Sequence, residues 1–400
     1  MAIRSSLLPH TARRTARTGV PALALAAGLA LLGPVPLAAA GPGEPAPPAP
    51  RPEPPHGLLD GSGTRANPRA QDARPPDDIS ALSWLVADAH SGEVLAAHDA
   101  HRALPPASTL KSLFALTALP RLKPDSVHRV TASDLSGVGE GSSLVGVETG
   151  HRYRVDDLWR GVFLSSGNDA VHVLGSMIGG DEATVRQMRE KAKKLGARDT
   201  RVVSPDGYDH PGQVSSAYDL AVFGRAGLAD PDFARYCSTA VAKFPGDEGP
   251  YAIQNTNRLL TGADGLGRYR GVLGVKNGYT TNAGNTLIAA AHRGGRTLLV
   301  TLMHPTSGEP NAVYREARSL LDWGFASADR VRPVGTLAPG TAATPPPAQA
   351  GAVHASAADG DGAFGPFGPG LLAAAGCGAL LVSWGAALAV RRRARRGRGA

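Results

Sequence analysis

Apolar and polar positions alternate at both ends of the central part of the chain. Ser83–Asp88 and Glu93–Ala97 flank the turn Ser91-Gly92 and predict a hairpin. Asn285–His292 and Arg296–Met303 enclose Gly294-Gly295 and predict a second, with Gly271–Lys276 as a further short strand just upstream. Between these pieces the apolar period becomes helical. Asp156–Leu164, Asp169–Ile178, Asp181–Leu195 and Ser216–Leu228 each open on a residue able to cap, and Gly196 follows the third as a stop. Tyr314–Trp323 is one more amphipathic helix. Strands at both ends with helices between predict an α/β chain of the α+β kind. Its antiparallel sheet is built from both ends of the body, with a helical insertion packed beside it. Strand order is not readable from this pattern.

The flanks read differently. Residues 1–40 hold a cationic region, the apolar run Ala22–Leu32 and the small residues Ala38 and Ala40 before Gly41. Eleven apolar residues are too few for about 30 Å of hydrocarbon, so this is expected to be a removable signal peptide. The pair Arg13-Arg14 lacks the hydrophobic residues that follow it in a twin-arginine signal. Residues 41–76 carry eleven prolines and are expected to form an extended linker. The Ala/Gly/Pro-rich stretch 329–369 is expected to form another, leaving a body at 77–328. Gly370–Val390 gives 21 residues without a formal charge, about 32 Å of helix. Six arginines follow within 391–400, which predicts a single transmembrane helix with a cytoplasmic tail and an extracytoplasmic body. The expected location is therefore a cell membrane, crossed once.

Composition changes this picture only by what it removes. The formal charge of +8 suggests a nucleic-acid partner until its distribution is examined. Four arginines lie in residues 1–40 and six in the tail, neither segment holding an acid; the remainder has 32 basic against 34 acidic residues. The basicity is a targeting signature, and no nucleic-acid partner is expected. Two cysteines, Cys237 and Cys377, leave no disulfide framework and no cysteine zinc cluster. His98 and His101 sit three apart just after a strand, without a recognisable glutamate partner, and read as loop histidines. No metal or cofactor is called for.

Candidate chemistry starts at Pro105-Pro106-Ala107-Ser108-Thr109-Leu110-Lys111. The prolines forbid helix before Ala107 and an apolar helical run follows, so Ser108 falls in a first helical turn with Lys111 on the same face. A neutral lysine can take the serine proton if burial and a neighbouring cation lower its pKa from about 10.4. Alone, Ser-x-x-Lys carries little, since chance gives on the order of one match in a chain this long. Ser166 and Asn168 then lie in a tight turn between two helical stretches, and Lys276-Asn277-Gly278-Tyr279 follows the strand at 271–275. Ser-x-x-Lys, Ser-x-Asn and Lys-x-Gly in this order form the constellation of serine acyl-transferases, shared by penicillin-binding proteins and class A β-lactamases.

On these motifs the sequence resembles the low-molecular-mass penicillin-binding proteins that act as D-alanyl-D-alanine carboxypeptidases, with a β-lactamase/DD-peptidase-like fold. The resemblance runs from about Asp77 to Phe325 and includes Ser204-Pro205-Asp206-Gly207-Tyr208, Asn255-Thr256-Asn257-Arg258 and Leu320-Leu321-Asp322-Trp323-Gly324-Phe325. It implies a substrate, a peptidoglycan stem peptide ending in D-Ala-D-Ala, and β-lactams as inhibitors. It implies that Ser108 attacks the carbonyl between the two D-alanines, with Lys111 as general base. Ser166 would relay a proton between Lys111 and Lys276. Asn168 would hold a substrate amide, and Lys276 the terminal carboxylate, with Arg315 a weaker candidate for that carboxylate. Backbone N–H groups of Ser108 and Tyr279 would form the oxyanion hole. The stem could lie along the strand ending at Lys276. The chain departs from the family pattern at Asn277, where a threonine is usual. No segment resembling the family's second, β-rich domain follows Phe325.

Two other readings use the same residues. A serine β-lactamase shares the acylation step but needs a glutamate for deacylation, and no Glu followed by Leu-Asn stands at the family spacing. A non-catalytic wall-binding module would keep the fold without turnover. Released D-alanine, hydrolysed penicillin or neither separates the three.

Overall fold

The computed structural model describes residues 58–337. Its strands are β1 (Thr64–Pro68), β2 (Ala81–Asp88), β3 (Glu93–His98), β4 (Val127–Arg129), β5 (Arg152–Arg154), β6 (Val241–Phe244), β7 (Tyr251–Gln254), β8 (Val272–Thr280), β9 (Gly284–Arg293), β10 (Arg296–Pro305), β11 (Val331–Arg332) and β12 (Gly335–Thr336). Its helices are α1 (Lys111–Ala118), α2 (Val155–Leu164), α3 (Asn168–Met177), α4 (Gly180–Lys194), α5 (Ala217–Leu228), α6 (Pro231–Ser238), α7 (Arg258–Thr261) and α8 (Ala312–Ser327). The main sheet runs β11–β1–β3–β2–β10–β9–β8, with β12 beside β3 and every pairing antiparallel. It is built from both ends of the body, as the pattern predicts, and the helices α1–α7 are inserted between β3 and β8.

Each central strand is apolar on both faces because the sheet is covered on both sides. Leu85, Ile288 and Leu299 face the helical insertion and join a core with Leu110, Phe114, Trp159, Leu220 and Phe223. Their neighbours Trp84, Val86, Leu287, Leu298 and Val300 face the other way and pack with Leu320 and Leu321 of α8. A one-residue slip would exchange these two sets, so the register is strongly fixed. Full burial is worth about 1.5–3 kcal/mol for each large side chain. Thr301, polar but fully buried, spends its hydroxyl on the carbonyl of Ala217 at 2.8 Å, pinning α5 to β10.

The body is longer than the sequence pattern suggests. Residues 58–76, assigned to the Pro-rich linker, contribute β1 and the buried side chains Leu59 and Ala73. Residues 329–337, assigned to the second linker, contribute β11, β12 and the buried Val334 and Leu337. The reason is physical: strands of two to five residues carry too little alternation to read. Pro68, one of the eleven prolines, ends β1, where its missing N–H is tolerated. Among the described residues no helix is long and apolar enough to cross a membrane. The expected signal peptide (1–40), transmembrane helix (370–390) and basic tail (391–400) lie outside the described residues.

Candidate active site

Pro105 and Pro106 end the chain's extended run, and a 3₁₀ turn over Ala107–Leu110 leads into α1. Ser108 therefore sits in a tighter turn than the expected first turn of α-helix, but still three residues and one face from Lys111. Every residue of α1 is buried, which carries Lys111 into the interior with 1% exposure. Its Nζ lies 2.7 Å from Ser108 Oγ, 2.7 Å from Asn168 Oδ1 and 2.7 Å from the carbonyl oxygen of Asp206. Burial lowers its pKa to about 8, while the carboxylates of Asp206 and Asp169 act in the opposite direction. A neutral amine has two N–H donors and one lone pair. Donation to Asn168 and Asp206 leaves the lone pair for the Ser108 hydroxyl, which is the arrangement a general base needs.

Ser166 and Asn168 come from the turn between α2 and α3. Ser166 has φ +58°, a left-handed conformation that costs a non-glycine residue about 1–3 kcal/mol unless its surroundings impose it. The surroundings are the loop at 142–147. Asn168 donates its backbone N–H to the Ser143 carbonyl at 2.8 Å and its Nδ2 to Ser142 Oγ at 2.9 Å. The buried carboxylate of Asp169 accepts the N–H groups of Val145, Gly146 and Val147 at 2.8–3.1 Å. The turn is thus clamped from outside and its side chains point at the lysines.

Lys276 lies inside β8, whereas the sequence pattern ends that strand at the motif; β8 continues through Asn277, Gly278 and Tyr279 to Thr280. β8 is the last strand of the sheet, so its outer edge is free for an added strand among the described residues. Lys276 Nζ donates to Ser166 Oγ at 3.2 Å and to the Asn277 carbonyl at 2.7 Å. Burial, then the charge of Lys111, push its pKa well below the usual lysine value. Asn277 accepts from Thr256 Oγ1 at 3.1 Å through Oδ1, which leaves its Nδ2 without an acceptor among the described residues. Tyr279 is exposed at the rim. At Gly278 a side chain is excluded: a Cβ there would lie 2.6 Å from the Ser108 nitrogen and 2.7 Å from Thr286 Oγ1. The strand is pressed directly against the serine's N–H.

Ser108, Lys111, Ser166, Asn168 and Lys276 are therefore brought together across three elements. Two implied roles meet a different resting geometry. Ser166 is bonded to Lys276, and the residue that ties Lys111 to the α2–α3 turn is Asn168. The Asn168 amide, expected to hold substrate, is engaged at both ends by Lys111 and Ser142. Arg315 is exposed on α8, and its side chain makes no hydrogen bond or ion pair among the described residues. Sequence reasoning passed over Asp206, whose carbonyl is a direct partner of Lys111, although it lies in the quoted stretch Ser204–Tyr208. It also passed over Ser142. His98 and His101 turn to separate partners, Thr64 and Asp199. Cys237 is buried, and burial pushes its thiol up to about 12, so it is no nucleophile. At the surface Glu148, His151 and Asp247 come close enough to share a cation, but His151 Nε2 already pairs with Asp247 at 2.9 Å.

This geometry agrees with comparisons to known proteins. The sequence pattern of the D-alanyl-D-alanine carboxypeptidase family matches residues 69–306. The chain is similar to D-alanyl-D-alanine carboxypeptidase DacB2 of Mycobacterium tuberculosis, 42% identical over 255 residues, covering 63% of this chain and 84% of that protein. It is 37% identical over 262 residues to D-alanyl-D-alanine carboxypeptidase DacD of Escherichia coli, covering 62% of this chain and 64% of that relative's length. A crystal structure of D-alanyl-D-alanine carboxypeptidase from Mycobacterium tuberculosis H37Rv superposes with a TM-score of 0.62 at 40% identity, over 68% of this chain and 100% of that one. A buried lysine against a turn serine at the edge of an antiparallel sheet, and the match over 69–306, lead to one statement: the chain belongs to the D-alanyl-D-alanine carboxypeptidase family.

Proposed function

We propose that this protein is a serine-type D-Ala-D-Ala carboxypeptidase that removes the terminal D-alanine from peptidoglycan stem peptides through an acyl-enzyme on Ser108. The observation that carries the reading is the 2.7 Å contact between Ser108 Oγ and the fully buried Lys111 Nζ. Lys111 takes the hydroxyl proton as Oγ bonds to the carbonyl carbon between the two D-alanines. The C–N bond then breaks, and D-alanine leaves with a proton. Water attacks the ester with the same lysine as base and frees Ser108. Lys276, with Ser166 against it, binds the terminal carboxylate, whose charge favours the protonated amine against the effect of burial, and Nδ2 of Asn277 is a second donor to it. The N–H groups of Ser108 and Tyr279 serve the oxyanion; one such donor is typically worth about 10²–10³ in rate. β-Lactams acylate the same serine.

The reading extends to location. The 21 uncharged residues of 370–390 followed by six arginines support a single membrane span with the body outside, reached after removal of residues 1–40. The test of function is release of D-alanine from a diacyl-Lys-D-Ala-D-Ala peptide by the full protein and by Ser108→Ala. Release that vanishes in the variant supports the reading; equal release from both, or none from the parent, overturns it. Protease protection of the tail in sealed vesicles tests the topology.

A further inference from the structure

Behind the proposed base lie two ionisable groups that the reaction scheme above does not use. His172 stands one turn after Asn168 on α3, so the amide that holds Lys111 and the imidazole share a helix face. Its side chain is 4% exposed. Nδ1 lies 2.9 Å from Asp181 Oδ2 of α4, and Nε2 lies 3.4 Å from Asp206 Oδ2, an ion-pair contact rather than an aligned hydrogen bond. The loop at Gly137 closes over the ring: a Cβ there would meet His172 Cε1 at 2.7 Å.

Asp206 is the hinge of the arrangement. It is 1% exposed, its carbonyl accepts from Lys111, and its carboxylate faces His172. The other carboxylate oxygen accepts from Ser204 Oγ at 2.7 Å and from the Tyr208 N–H at 3.0 Å. A buried carboxylate beside a lysine holds a proton on that lysine, which is the wrong direction for a base. The groups that face His172 are Asp181 from α4 and Asp206 from the 204–208 turn. Those acting on Lys111 are Asp206 and Asp169 from α3, while Lys111 in turn acts on Lys276 of β8. Asp134, in the loop leading to Gly137, is occupied by His128 at 2.9 Å and by Thr131.

We infer that His172 is a positioning residue for acyl transfer: its imidazolium pairs with Asp206, draws that carboxylate's charge away from Lys111, and fixes the turn whose carbonyl aims the Lys111 amine at Ser108. The inference rests on the reading of Lys111 as the base. Electrostatics agree with the geometry. Burial opposes charge on His172, but its pairing with Asp181 and Asp206 raises its pKa to about 9. It is therefore an imidazolium throughout the range below pH 8 in which Lys111 is mostly protonated. Burial likewise opposes charge on Asp206, and the ion pair with His172 together with the charge of Lys111 holds its carboxyl well below the usual range.

The test is the pH profile of acylation by a fluorescent penicillin, measured on the full-length protein, its His172→Gln and Asp206→Asn variants, and the double variant. His172→Gln leaves Asp206 uncompensated, so the midpoint of the acid limb rises, by on the order of one pH unit. Asp206→Asn removes the carboxylate and lowers the midpoint. In the double variant it returns towards that of Asp206→Asn, because no charge remains for His172 to offset. A role in packing alone would change rates or melting temperature and leave all midpoints together, which would overturn the inference. Where His172→Gln does not fold, Asp206→Asn is read at the His172 ring by NMR titration: an imidazole that titrates at lower pH in the variant supports the pairing, and an unmoved one refutes it. A parent profile without any acid limb would instead sink the assignment of Lys111 as base.

Discussion

Replacing Gly278 by alanine is a direct test of how closely the edge strand and the serine must meet. The added Cβ would lie 2.6 Å from Ser108 N, 2.7 Å from Thr286 Oγ1 and 2.9 Å from Ala107 Cβ. None of these neighbours is a free side-chain end. Two belong to the turn that carries the nucleophile, and Thr286 is held by its bond to the Pro106 carbonyl at 2.9 Å. Relief therefore requires β8 and the serine turn to separate by roughly half an ångström, the kind of overpacking that costs about 1–3 kcal/mol. A displacement near 1 Å at a reacting centre costs about 10²-fold, so a loss of roughly tenfold or more in acylation is expected from half of that. The melting temperature should fall by about 2–12 °C, at about 2–4 °C per kcal/mol. The assay is the second-order rate of penicillin acylation alongside D-alanine release, with circular dichroism melts on the same preparations. An alanine variant that acylates within twofold of the parent would refute the argument, because the gap beside Ser108 would then not be where the reaction is held.

Three further outcomes are expected. With Lys111 at about 8, the neutral fraction is roughly one in ten at pH 7 and falls tenfold per unit below that. kcat/KM for D-alanine release should therefore rise with pH to about 8 and then level, and a flat profile between pH 5.5 and 8 would contradict a lysine base. Asn277→Thr exchanges an amide held by Thr256 for a hydroxyl. It should raise D-alanine release or penicillin acylation, and no change in either would show that the amide substitutes fully. Asp169→Ala strips the partners from the N–H groups of Val145, Gly146 and Val147. It should cost about 3 kcal/mol or more in urea unfolding, with acylation falling as the loop releases Asn168.

What the sequence disclosed follows from which signals are local. The antiparallel sheet from both ends was legible because β2, β3, β9 and β10 are long enough to show their period, and their turns carry glycine. β1, β11 and β12 were not, since two to five residues beside prolines look like linker until a partner strand is present. Ser108 and Lys111 were legible because one short segment holds both. Ser166, Asn168 and Lys276 were legible only through the order of motifs, and their convergence needed the clamped turn and β8. Asp206 and His172 could not be assigned roles: one acts on Lys111 through a backbone carbonyl, the other through a carboxylate 34 positions away, and neither leaves a spacing rule behind. Arg315 was named from the resemblance alone, and the structure shows only that it is exposed on α8. Its neighbour Glu316, about 100° round the helix, is buried and bonded to Ser80 and to the Ala81 N–H, which ties α8 to β2.

The short strand β12 bears on how the body withstands tension. It pairs with β3, and the Val334 and Leu337 N–H groups bond to the Val94 and Gly92 carbonyls. β3 is separated from β8 by β2, β10 and β9, about 19 Å at the usual strand spacing. A pull on the chain beyond Leu337 is met first by those few bonds. The Tyr218 hydroxyl on the Thr336 carbonyl at 2.9 Å adds a tie to α5. Strain applied there therefore enters through α5 and through β3, which lies on the side of the sheet away from β8 and the serine turn.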